Sequence, residues 1–510
     1  MPAIQRIDSS TRRLALFGST GTRVIENRAT AALPAHSLMR RAGMATARLA
    51  LALAPHARTV WIAAGPGNNG GDGCEAAFRL QQQGKRSVVT LAGDPSRWPV
   101  DAKDAFERAR AAGVAFEAEA PSLTPHDIAI DGLLGIGGSR APTGRLADDV
   151  RGLNVLPCPV LAIDVPSGLN ADTGQLFGAD CVVATHTLSL LTLKPGLFTG
   201  AGRDHAGQVW SDALGVEVPA QHAPDAWLCG HPTGAPGRSA RHHAAHKGTF
   251  GDVAVVGGAD GMTGAAILAA RAAHAAGAGR VFVGLLREAR GASADLDPMR
   301  PELMFRTGWS DSAPAILAQT TVVCGCGGGD AVRAPLPRLV SLAGRLVLDA
   351  DSLNAIAGDR GLRAALLSRR TRHLQTVLTP HPLEAARLLD GRTADVQSDR
   401  IGAARELAER YGCVAVLKGS GTVIAAPDTV PVVNATGNAA LASAGTGDVL
   451  AGLIGGRWAQ APLPADPHAT FEVAAQAVAE HGAAAEPAMP GGLRAADLIE
   501  MLYARERAGR

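Results

Sequence analysis

The chain has 510 residues, more than one ordinary hydrophobic core accommodates, so two or more domains are expected. Its 49 basic and 47 acidic residues leave a net charge of +2, which argues against an electrostatic nucleic-acid binder. Apolar residues make up 46% and charged residues 19%, as in soluble globular proteins, and the low aromatic content of 4% predicts helices that pack closely on alanine and glycine.

The N-terminal stretch MPAIQRIDSSTRRLALFGST has no sustained apolar segment after its basic residues, which argues against a secretory signal. No apolar run approaches the length of a membrane span. The seven cysteines are scattered, and their one close pair, Cys324 and Cys326, has no partners at zinc spacing. We therefore expect a cytoplasmic protein without a membrane span or a disulfide framework.

The first half of the chain alternates strands with helices. Residues 26–53 predict helix interrupted at Pro34, and further helices are predicted from the first glycine-rich loop to about residue 83 and over 101–112. Polar or glycine-rich loops follow the predicted strands 59–64, 87–91, 127–131 and 159–164. This alternation predicts a parallel sheet that binds ligands at the carboxyl ends of its strands.

The loop after the first of these strands, residues 65–70, formally fits the G-x-G-x-x-G pattern, and Asp94 lies where a ribose-binding acid would be sought. This pattern raises a dehydrogenase as an alternative. Asn68, Asn69 and Asp72 argue against it, because adjacent amides and a carboxylate suit a polar substrate or a cation better than a bare pyrophosphate cradle.

Three more polar residues follow later strands of the same predicted sheet: Asp131, Asp164 and Ser167. Each aspartate alone is more often a strand-end cap than a catalyst. Their common position at one sheet edge predicts that they converge with the first loop on a single site.

Residues 219–241 are rich in Pro, Gly, His and Ala and predict a linker. A second alternating series follows, with predicted strands 252–257, 281–284, 321–324, 346–350, 376–379 and 413–417. It lacks the G-x-x-x-x-G-K-[ST] pattern of a P-loop nucleotide site. Its glycine-rich segments include 257–265 and 418–422, the latter offering a lysine, hydroxyls and backbone amides to phosphate. His381 lies between two prolines, where a histidine is more often a turn residue than a ligand.

The segment Gly445-Thr446-Gly447-Asp448 begins an apolar run of small residues that suits a buried helix. Glycines allow close backbone approach, and a helix start presents free N–H groups to an anion. The negative charge of Asp448 would repel a phosphate, so the carboxylate fits a base that faces a hydroxyl about to meet a phosphoryl group. The alternative is an ordinary capped turn.

In the first half, GPGNNGGDG, DGLLGIG and AIDVPSGLNADTG occur in the order seen in the NAD(P)HX epimerase family, and the resemblance covers about residues 20–215. It implies a Rossmann-like fold, interconversion of the R and S forms of hydrated NADH and NADPH, and an acid–base role for Asp164. It implies potassium ligands Asn69, Asp131 and Ser167. The substrate contacts that it implies are Asn68, Asn69, Gly70, Gly71, Asp72, Gly135, Ile136, Gly137, Gly138, Ser139, Arg140, Ala141 and Asp164. The family usually has Glu-Asn where this chain has Arg40-Arg41.

In the second half, HKGTFGDVAVVGG, LVLDADSLN, VLTPHPLEAARLL, AVLKGSGTVIA and AGTGDVLAG resemble the ADP/ATP-dependent NAD(P)HX dehydratase family, from about residue 240 onwards. This resemblance implies a ribokinase-like fold. It implies contacts with the hydrated dinucleotide from Ala265, Gly327, His381 and Asp448. It implies that the adenine nucleotide is held by Lys418, Gly419, Ser420, Gly421, Thr422 and Gly447. The usual Gly-Pro-Gly-Leu-Gly is Gly325-Cys-Gly-Gly-Gly329 here, and loss of the proline predicts a more mobile loop.

Together these observations predict an α/β protein with an epimerase domain (1–220, Rossmann-like), a linker (221–240) and a dehydratase domain (241–510, ribokinase-like). The expected ligands are NADHX or NADPHX, ADP or ATP, K⁺ in the first domain and Mg²⁺ in the second, with no nucleic-acid or membrane partner. We also expect a homo-oligomer. Two alternatives stay open: a ribokinase-group small-molecule kinase fused to a Rossmann-like binding domain, and a non-catalytic scaffold as the first half.

Overall fold

The computed structural model describes residues 4–10, 13–230, 242–287, 296–461, 466–488 and 491–508. The chain divides into two compact units. The first comprises Met1–Asp8 and Leu14–Leu228, and the second comprises Ser9–Arg13 and Cys229–Arg510. Half of the predicted linker, residues 231–240, lies outside the described residues. The rest of it contains a strand, Ala226–Cys229, which the irregular composition there did not predict.

The first unit is built on an eight-stranded sheet with the order β1-β9-β8-β7-β6-β3-β4-β5. All neighbours in it are parallel except β1 and β9, and β2, which is not part of this sheet, pairs antiparallel with β10. The strands are β1 (Gln5–Arg6), β2 (Leu14–Leu16), β3 (Thr59–Ala64), β4 (Arg86–Leu91), β5 (Ala115–Glu117), β6 (Ile128–Gly132), β7 (Val160–Ile163), β8 (His186–Leu190), β9 (Gln208–Asp212) and β10 (Ala226–Cys229). The helices are α1 (Ser19–Ala32), α2 (Ser37–Leu53), α3 (Asn68–Gln82), α4 (Val100–Ala111), α5 (Arg145–Asn154) and α6 (Gly202–His205).

The apolar run of β3 is explained by burial on both faces of this sheet. Val60, Ile62 and Ala64 belong to one hydrophobic cluster, whereas Trp61 and Ala63 belong to another. Because successive strand residues face opposite sides, a strand covered on both faces is apolar throughout and shows no alternation. The sheet is therefore a buried layer, and its ligand-accessible part is the edge where the loops leave the strands.

The second unit supplies nine consecutive strands of an 11-stranded sheet, in the order β13-β12-β11-β14-β15-β16-β17-β18-β19. It is parallel from β13 to β17, and the last two strands add antiparallel pairs. The strands are β11 (Asp252–Gly257), β12 (Arg280–Leu285), β13 (Met304–Phe305), β14 (Thr321–Cys324), β15 (Arg345–Leu348), β16 (Gln375–Leu378), β17 (Val414–Leu417), β18 (Val423–Ala425) and β19 (Val432–Asn434). The helices are α7 (Thr263–Ala275), α8 (Pro314–Gln319), α9 (Leu336–Leu342), α10 (Asp351–Ala357), α11 (Arg360–Thr371), α12 (Pro382–Leu388), α13 (Thr393–Ser398), α14 (Arg400–Tyr411), α15 (Thr446–Ala459), α16 (Pro467–Ala485) and α17 (Ala495–Ala508).

Helix α15, which carries Asp448 in its first turn, is buried along almost its whole length. A Cβ on Gly452 or Gly456 would overlap the backbone carbonyl oxygen of Ala269 or Ala273 in α7. Close helix packing on small residues, predicted from the composition, is confirmed here. It fixes the start of α15, and with it Asp448, relative to the sheet.

Across the described ranges, no helix combines the length and the apolar character needed to cross a bilayer.

Candidate active sites

A cavity of about 410 Å³ lies in the first unit at the carboxyl ends of β3, β6, β7 and β8. Loops after these strands and the helices α1, α2 and α3 form its walls. The predicted substrate contacts that line it are Asn68, Asn69, Asp72, Gly135, Ile136, Gly137, Gly138 and Asp164. The sheet edge thus brings the first loop and the later strand-end residues together, as the alternating pattern predicted.

Five other predicted contacts are not among the residues that line this cavity: Gly70, Gly71, Ser139, Arg140 and Ala141. A Cβ on Gly70 would overlap the carbonyl oxygen of Gly65, and a Cβ on Gly71 would lie 2.6 Å from the backbone of Ala102. The two glycines therefore allow α3 to pack against its own loop and against α4. Ser139 and Arg140 are exposed beyond the part of the loop that faces the cavity.

Asp164 follows β7 with a φ of 70°, a left-handed conformation that is uncommon for a residue with a side chain. Its carboxylate pairs with the ammonium group of Lys194, whose side chain is completely buried. The Lys194 ammonium also donates to the carbonyl oxygens of Leu190 at 2.6 Å and Thr192 at 3.0 Å. Asp164 thus combines a strained backbone with a carboxylate at the cavity wall and a fixed cation beside it. Such a carboxylate can exchange protons with a bound ligand.

Asp131 and Ser167 form a buried pair behind the cavity wall. Ser167 donates from Oγ to Asp131 Oδ1 at 2.6 Å and from its backbone N–H to Oδ2 at 2.8 Å. Burial raises the pKa of Asp131 to about 6 despite these hydrogen bonds. The side-chain nitrogen of Asn69 is buried and has no hydrogen-bond partner in the described part of the chain. Asn69 Oδ1 lies near Gly135, 3.2 Å from where a Cβ on that glycine would be.

Asp72 and Glu26 add two more carboxylates to the same cavity. Burial raises the pKa of Asp72 well above its usual value, and the nearby charge of Asp164 adds to this. Burial and then Asp164 also raise the pKa of Glu26. Both carboxyl groups therefore keep a proton more readily than in water, which suits acid–base chemistry on a bound substrate.

The second unit gathers its polar residues around Asp448. Burial raises the pKa of Asp448 to about 6, with a further contribution from the charge of Asp349. Asp349 follows β15 and is almost completely buried. The Asp349 carboxylate accepts hydrogen bonds on Oδ1 from Lys418 Nζ at 2.6 Å and from Thr379 Oγ1 at 2.8 Å. An aspartate with a pKa near 6 is mostly ionised at neutral pH and can take a proton from a hydroxyl.

Lys418 lies beside both Asp349 and the start of α15. A Cβ on Gly447 would be 3.5 Å from Lys418 Nζ, so the ammonium group is beside the backbone of the first helical turn. Gly419 and Gly421 have φ values of 134° and 61°. These conformations turn the loop sharply after β17 and leave Gly419 and Ser420 exposed. The buried guanidinium of Arg400 supports the loop from below by donating to the Lys418 carbonyl oxygen at 3.1 Å. A lysine, a free helix start and exposed loop amides are the elements of a phosphate site.

His381 begins α12 as its N-cap. Its Nδ1 accepts from the backbone N–H groups of Leu383 and Glu384, each at 3.2 Å, and its Nε2 lies 3.2 Å from Glu384 Oε1. Burial lowers the pKa of His381, and burial raises the pKa of Glu384 to about 7. The imidazole is half-exposed. His381 therefore caps a turn, as a histidine between two prolines often does, and it also offers a side chain that a ligand can reach.

Comparison with known proteins identifies the family of the chain. The NAD(P)H-hydrate dehydratase family matches residues 253–501, and the family described as YjeF-related protein N-terminus matches residues 35–196. The bifunctional NAD(P)H-hydrate repair enzyme Nnr of Escherichia coli (strain K12) is 37% identical over 470 residues, which cover 89% of this chain and 85% of that protein. The chain belongs to the family of bifunctional NAD(P)H-hydrate repair enzymes.

Two further proteins are similar to this chain. The bifunctional NAD(P)H-hydrate repair enzyme of Leishmania braziliensis is 37% identical over 502 residues, covering 91% of this chain and 88% of that protein. The solved structure of the ADP/ATP-dependent NAD(P)H-hydrate dehydratase from Bacillus subtilis, co-crystallised with ATP/Mg²⁺, is 29% identical with a TM-score of 0.43 and covers 53% of this chain and 94% of that chain.

For this NAD(P)H-hydrate repair enzyme, the predicted family is confirmed, as is the predicted fold of a Rossmann-like domain followed by a ribokinase-like domain. Membership also removes the support for a dehydrogenase, a small-molecule kinase or a scaffold.

The two departures from the family pattern have different structural contexts. Leu38 and Met39 line the first cavity, whereas Arg40 and Arg41 do not. Arg41 donates to the Leu214 carbonyl oxygen at 2.6 Å, and Arg40 is exposed on the outer side of α2. These two arginines therefore leave the core of the repair enzyme's first site unchanged.

The loop Gly325–Gly329 is held by contacts at both ends, and its greater mobility without the proline stays a prediction. A Cβ on Gly325, at a φ of 117°, would overlap the Asp349 carbonyl oxygen, and the Gly329 N–H donates to Asp351 Oδ2 at 2.8 Å. Gly327, at a φ of 58°, packs on Ala265, because a Cβ on Gly327 would lie 2.8 Å from the Ala265 methyl group. The loop brings these two predicted contacts together.

Sequence reasoning did not single out Lys194, Asp349, Glu384 or Cys326 as functional residues. Asp349 could have been found, because it follows a predicted strand just as Asp131 and Asp164 do. Lys194 carries no local signal, since its partner Asp164 lies 30 residues earlier.

Proposed function

We propose that this bifunctional NAD(P)H-hydrate repair enzyme epimerises R- and S-NAD(P)HX in the cavity beside Asp164 and dehydrates S-NAD(P)HX beside Asp448. The dehydration is driven by a nucleotide and releases AMP and phosphate if ADP is used. The observation that carries the proposal is a pair of aspartates that each have a lysine close by: Asp164, which follows β7, pairs with Lys194, and Asp448, in the first turn of α15, lies near Lys418.

In the first site, the reacting carbon is C6 of the hydrated nicotinamide ring, which carries both a hydroxyl group and the ring nitrogen. Loss of that hydroxyl as water, after its protonation, gives an iminium carbon that water can attack from either face. Opening of the ring at the C6–N bond instead gives an aldehyde carbon that the nitrogen can attack from either face. Asp164 would donate and accept the proton in these steps. The paired ammonium of Lys194 holds the carboxylate at the cavity wall, and the loop Gly135–Gly138 allows the ring to approach closely.

The oxygen-rich pair behind the cavity supports a potassium site formed by Asn69, Asp131 and Ser167. A buried carboxylate, a hydroxyl and an amide are hard oxygen ligands, and the buried side chain of Asn69 has a nitrogen without a partner among the described residues, so the amide can reorient. A bound cation would offset the buried charge of Asp131. These residues fit a monovalent cation that stabilises the walls of the cavity.

In the second site, Asp448 would take the proton of the C6 hydroxyl, and the freed oxygen would attack the terminal phosphoryl group of the nucleotide. Phosphate then leaves with the C–O bond electrons, and loss of a ring proton restores the dihydropyridine double bond. Phosphate is a better leaving group than hydroxide, so the dehydration consumes a nucleotide. Lys418 to Thr422 and Gly447 would hold its phosphates, while Ala265, Gly327 and His381 would face the substrate.

Mg²⁺ normally accompanies phosphoryl transfer. Asp349, Asp448 and Cys326 place their ligand atoms within 4.8 Å of one another. They do not fit a magnesium cage, because a thiol is a soft ligand and Asp349 Oδ1 is already bound by Lys418 and Thr379. We therefore assign no protein ligand to Mg²⁺, which would be bound by nucleotide phosphates and water.

The test uses chemically hydrated NADH, a mixture of R and S epimers, with ADP or ATP, and follows absorbance at 340 nm. The wild-type chain should recover both epimers. Asp164→Asn should recover only the S form, and Asp448→Asn should recover neither. Recovery of neither epimer by the wild type with either nucleotide would refute the assignment, and near-normal turnover by Asp448→Asn would refute the role of that residue.

Two further expectations accompany this proposal. The seven cysteines are all unpaired, which supports a reducing cytoplasm as the place of action. A homo-oligomer stays a prediction, which light scattering of the purified chain would check.

A further inference from the structure

Arg23 lies on α1 at the wall of the first cavity. It is exposed, and it lines the cavity together with the loop Gly135–Gly138. A Cβ on Gly137 would lie 3.8 Å from Arg23 Nη2. Within the described ranges, Arg23 forms no hydrogen bond or salt bridge, so its charge is available to a ligand. A second basic residue of this wall, Lys194, is instead completely buried and paired with Asp164.

Contacts on both sides of Arg23 hold α1 against the site. Thr22 Oγ1 lies 2.7 Å from Thr192 Oγ1, and the Thr192 carbonyl oxygen accepts a hydrogen bond from the Lys194 ammonium. Ile25 is buried in the hydrophobic cluster of the first unit. The backbone of Arg23 therefore has a defined position relative to the pair of Asp164 and Lys194, and only its side chain must adjust to a ligand.

The loop Gly135–Gly138 extends from Asp164 to Arg23. The Ile136 N–H donates to Asp164 Oδ2 at 3.4 Å, and the next residue, Gly137, lies beside Arg23. Consecutive Cα atoms are only about 3.8 Å apart. In a nicotinamide dinucleotide, a single ribose separates the nicotinamide ring from the pyrophosphate. A ring bound at Asp164 therefore places the pyrophosphate one sugar away, in the region that Arg23 can reach.

The charges of the cavity favour the same orientation. Three carboxylates line it, those of Glu26, Asp72 and Asp164. They disfavour a phosphate beside the reacting ring, whereas the exposed guanidinium of Arg23 favours one on the solvent side. A guanidinium also presents a planar pair of donors that matches two phosphate oxygens. The dinucleotide is thus directed with its ring inward and its pyrophosphate outward.

We propose that Arg23 binds the pyrophosphate of the hydrated dinucleotide and thereby holds the nicotinamide ring at Asp164. This inference rests on the epimerisation proposed above. Arg23 takes no part in proton transfer or in making and breaking bonds. The pyrophosphate is remote from C6 and does not change during the reaction, so the contact stabilises the bound substrate and the transition state equally. Its loss should therefore raise KM and leave kcat unchanged.

The experiment measures kcat and KM of the full chain for epimerisation of purified R-NADHX and R-NADPHX. Nucleotide is omitted, so that dehydration does not occur, and the R and S forms are separated by chromatography. Arg23→Ala should raise KM about five- to thirtyfold for both substrates, with kcat within about twofold of wild type. Arg23→Lys keeps the charge without the planar fork and should recover part of this loss. The difference in KM between Arg23→Ala and wild type should shrink in about 0.5 M salt, because screening weakens an exposed contact between charges.

Arg28→Ala is the matched control. Arg28 is an exposed arginine of the same helix that is not among the residues lining the cavity, and its loss should leave both constants unchanged. An unchanged KM in Arg23→Ala, an equal rise in Arg28→Ala, or a fall in kcat alone would overturn the inference. A rise confined to R-NADPHX would overturn it too, because Arg23 would then bind the 2′-phosphate.

Asp164→Asn distinguishes failure of this inference from failure of the proposed function. If Asp164→Asn does not epimerise and Arg23→Ala has wild-type constants, only the inference about Arg23 fails. If Asp164→Asn epimerises at a near-normal rate, the proposed role of Asp164 fails, whereas the KM of Arg23→Ala still decides whether Arg23 binds the substrate.

Discussion

Lys194 should stabilise the first unit as well as serve its chemistry. The ammonium group is completely buried and bonded to the Asp164 carboxylate and to two backbone carbonyl oxygens. Lys194→Met keeps most of the side-chain volume but leaves Asp164 as an uncompensated buried charge. Breaking a buried ion pair from one side costs about 3–5 kcal/mol. That is a large part of the roughly 5–15 kcal/mol that stabilises a typical folded protein.

Native-state hydrogen exchange can measure this loss unit by unit. Peptides that cover Val160–Ile163 report on the first unit, and peptides that cover Val414–Leu417 report on the second and act as an internal reference. Under conditions where exchange follows the opening equilibrium, a loss of about 3 kcal/mol should speed exchange in the first strand about 100-fold. The second strand should exchange at the wild-type rate.

Two further variants test whether the buried pair of Lys194 and Asp164 stabilises the first unit. Lys103→Met changes an exposed lysine on α4 and should alter stability by less than about 0.5 kcal/mol. The double variant Lys194→Met/Asp164→Asn removes both charges and should be less destabilised than the sum of the two single changes. A loss below about 1 kcal/mol in Lys194→Met, or full additivity in the double variant, would show that the buried pair does not contribute as described.

Other features of the structure lead to three further predictions. Gly65→Ala should destabilise the first unit by at least about 2 kcal/mol, because its Cβ would overlap the Leu133 carbonyl oxygen. Gly67→Ala is the control, because a Cβ on Gly67 meets nothing within 4 Å. Equal melting temperatures of the two variants would contradict the prediction. Burial raises the pKa of Glu384 from 4.5 to about 7, so its stabilising contribution is present below pH 4.5 and is lost as the pH rises through 7. Glu384→Gln should remove about 3 kcal/mol of that pH dependence in urea unfolding, and an unchanged slope would refute the assignment. Asp131→Asn should abolish any stimulation of epimerisation by K⁺ over Na⁺ and leave dehydration intact; retained stimulation would exclude Asp131 as a ligand.

Most of the strands that carry the two sites could be predicted closely from sequence, although β8 (His186–Leu190), which borders the first cavity, was not predicted. The predicted range 59–64 is the observed β3, and 321–324 is the observed β14. These segments are short apolar runs between glycine-rich loops, a signal that does not depend on distant residues. The short strands β18 and β19 were missed because antiparallel additions at the end of a parallel sheet follow no helix and carry no repeating pattern.

The candidate site residues also divide into those with a local sequence signal and those without one. Asp164 and Asp448 stand in local motifs, so strand-end position and neighbouring glycines were enough to single them out. Their neighbours Lys194 and Cys326 belong to other segments and have no local mark.

The sequence alone therefore determined the fold class and the family, and it singled out the two candidate aspartates, because periodicity, loop glycines and ordered motifs are local properties of the chain. Only the tertiary structure decided which lysine pairs with which carboxylate, and that the thiol of Cys326 lies against Asp349. It also showed that Gly70 and Gly71 serve packing. Burial, pKa and contact arise when parallel strands bring distant loops to one edge, and no single segment contains that information.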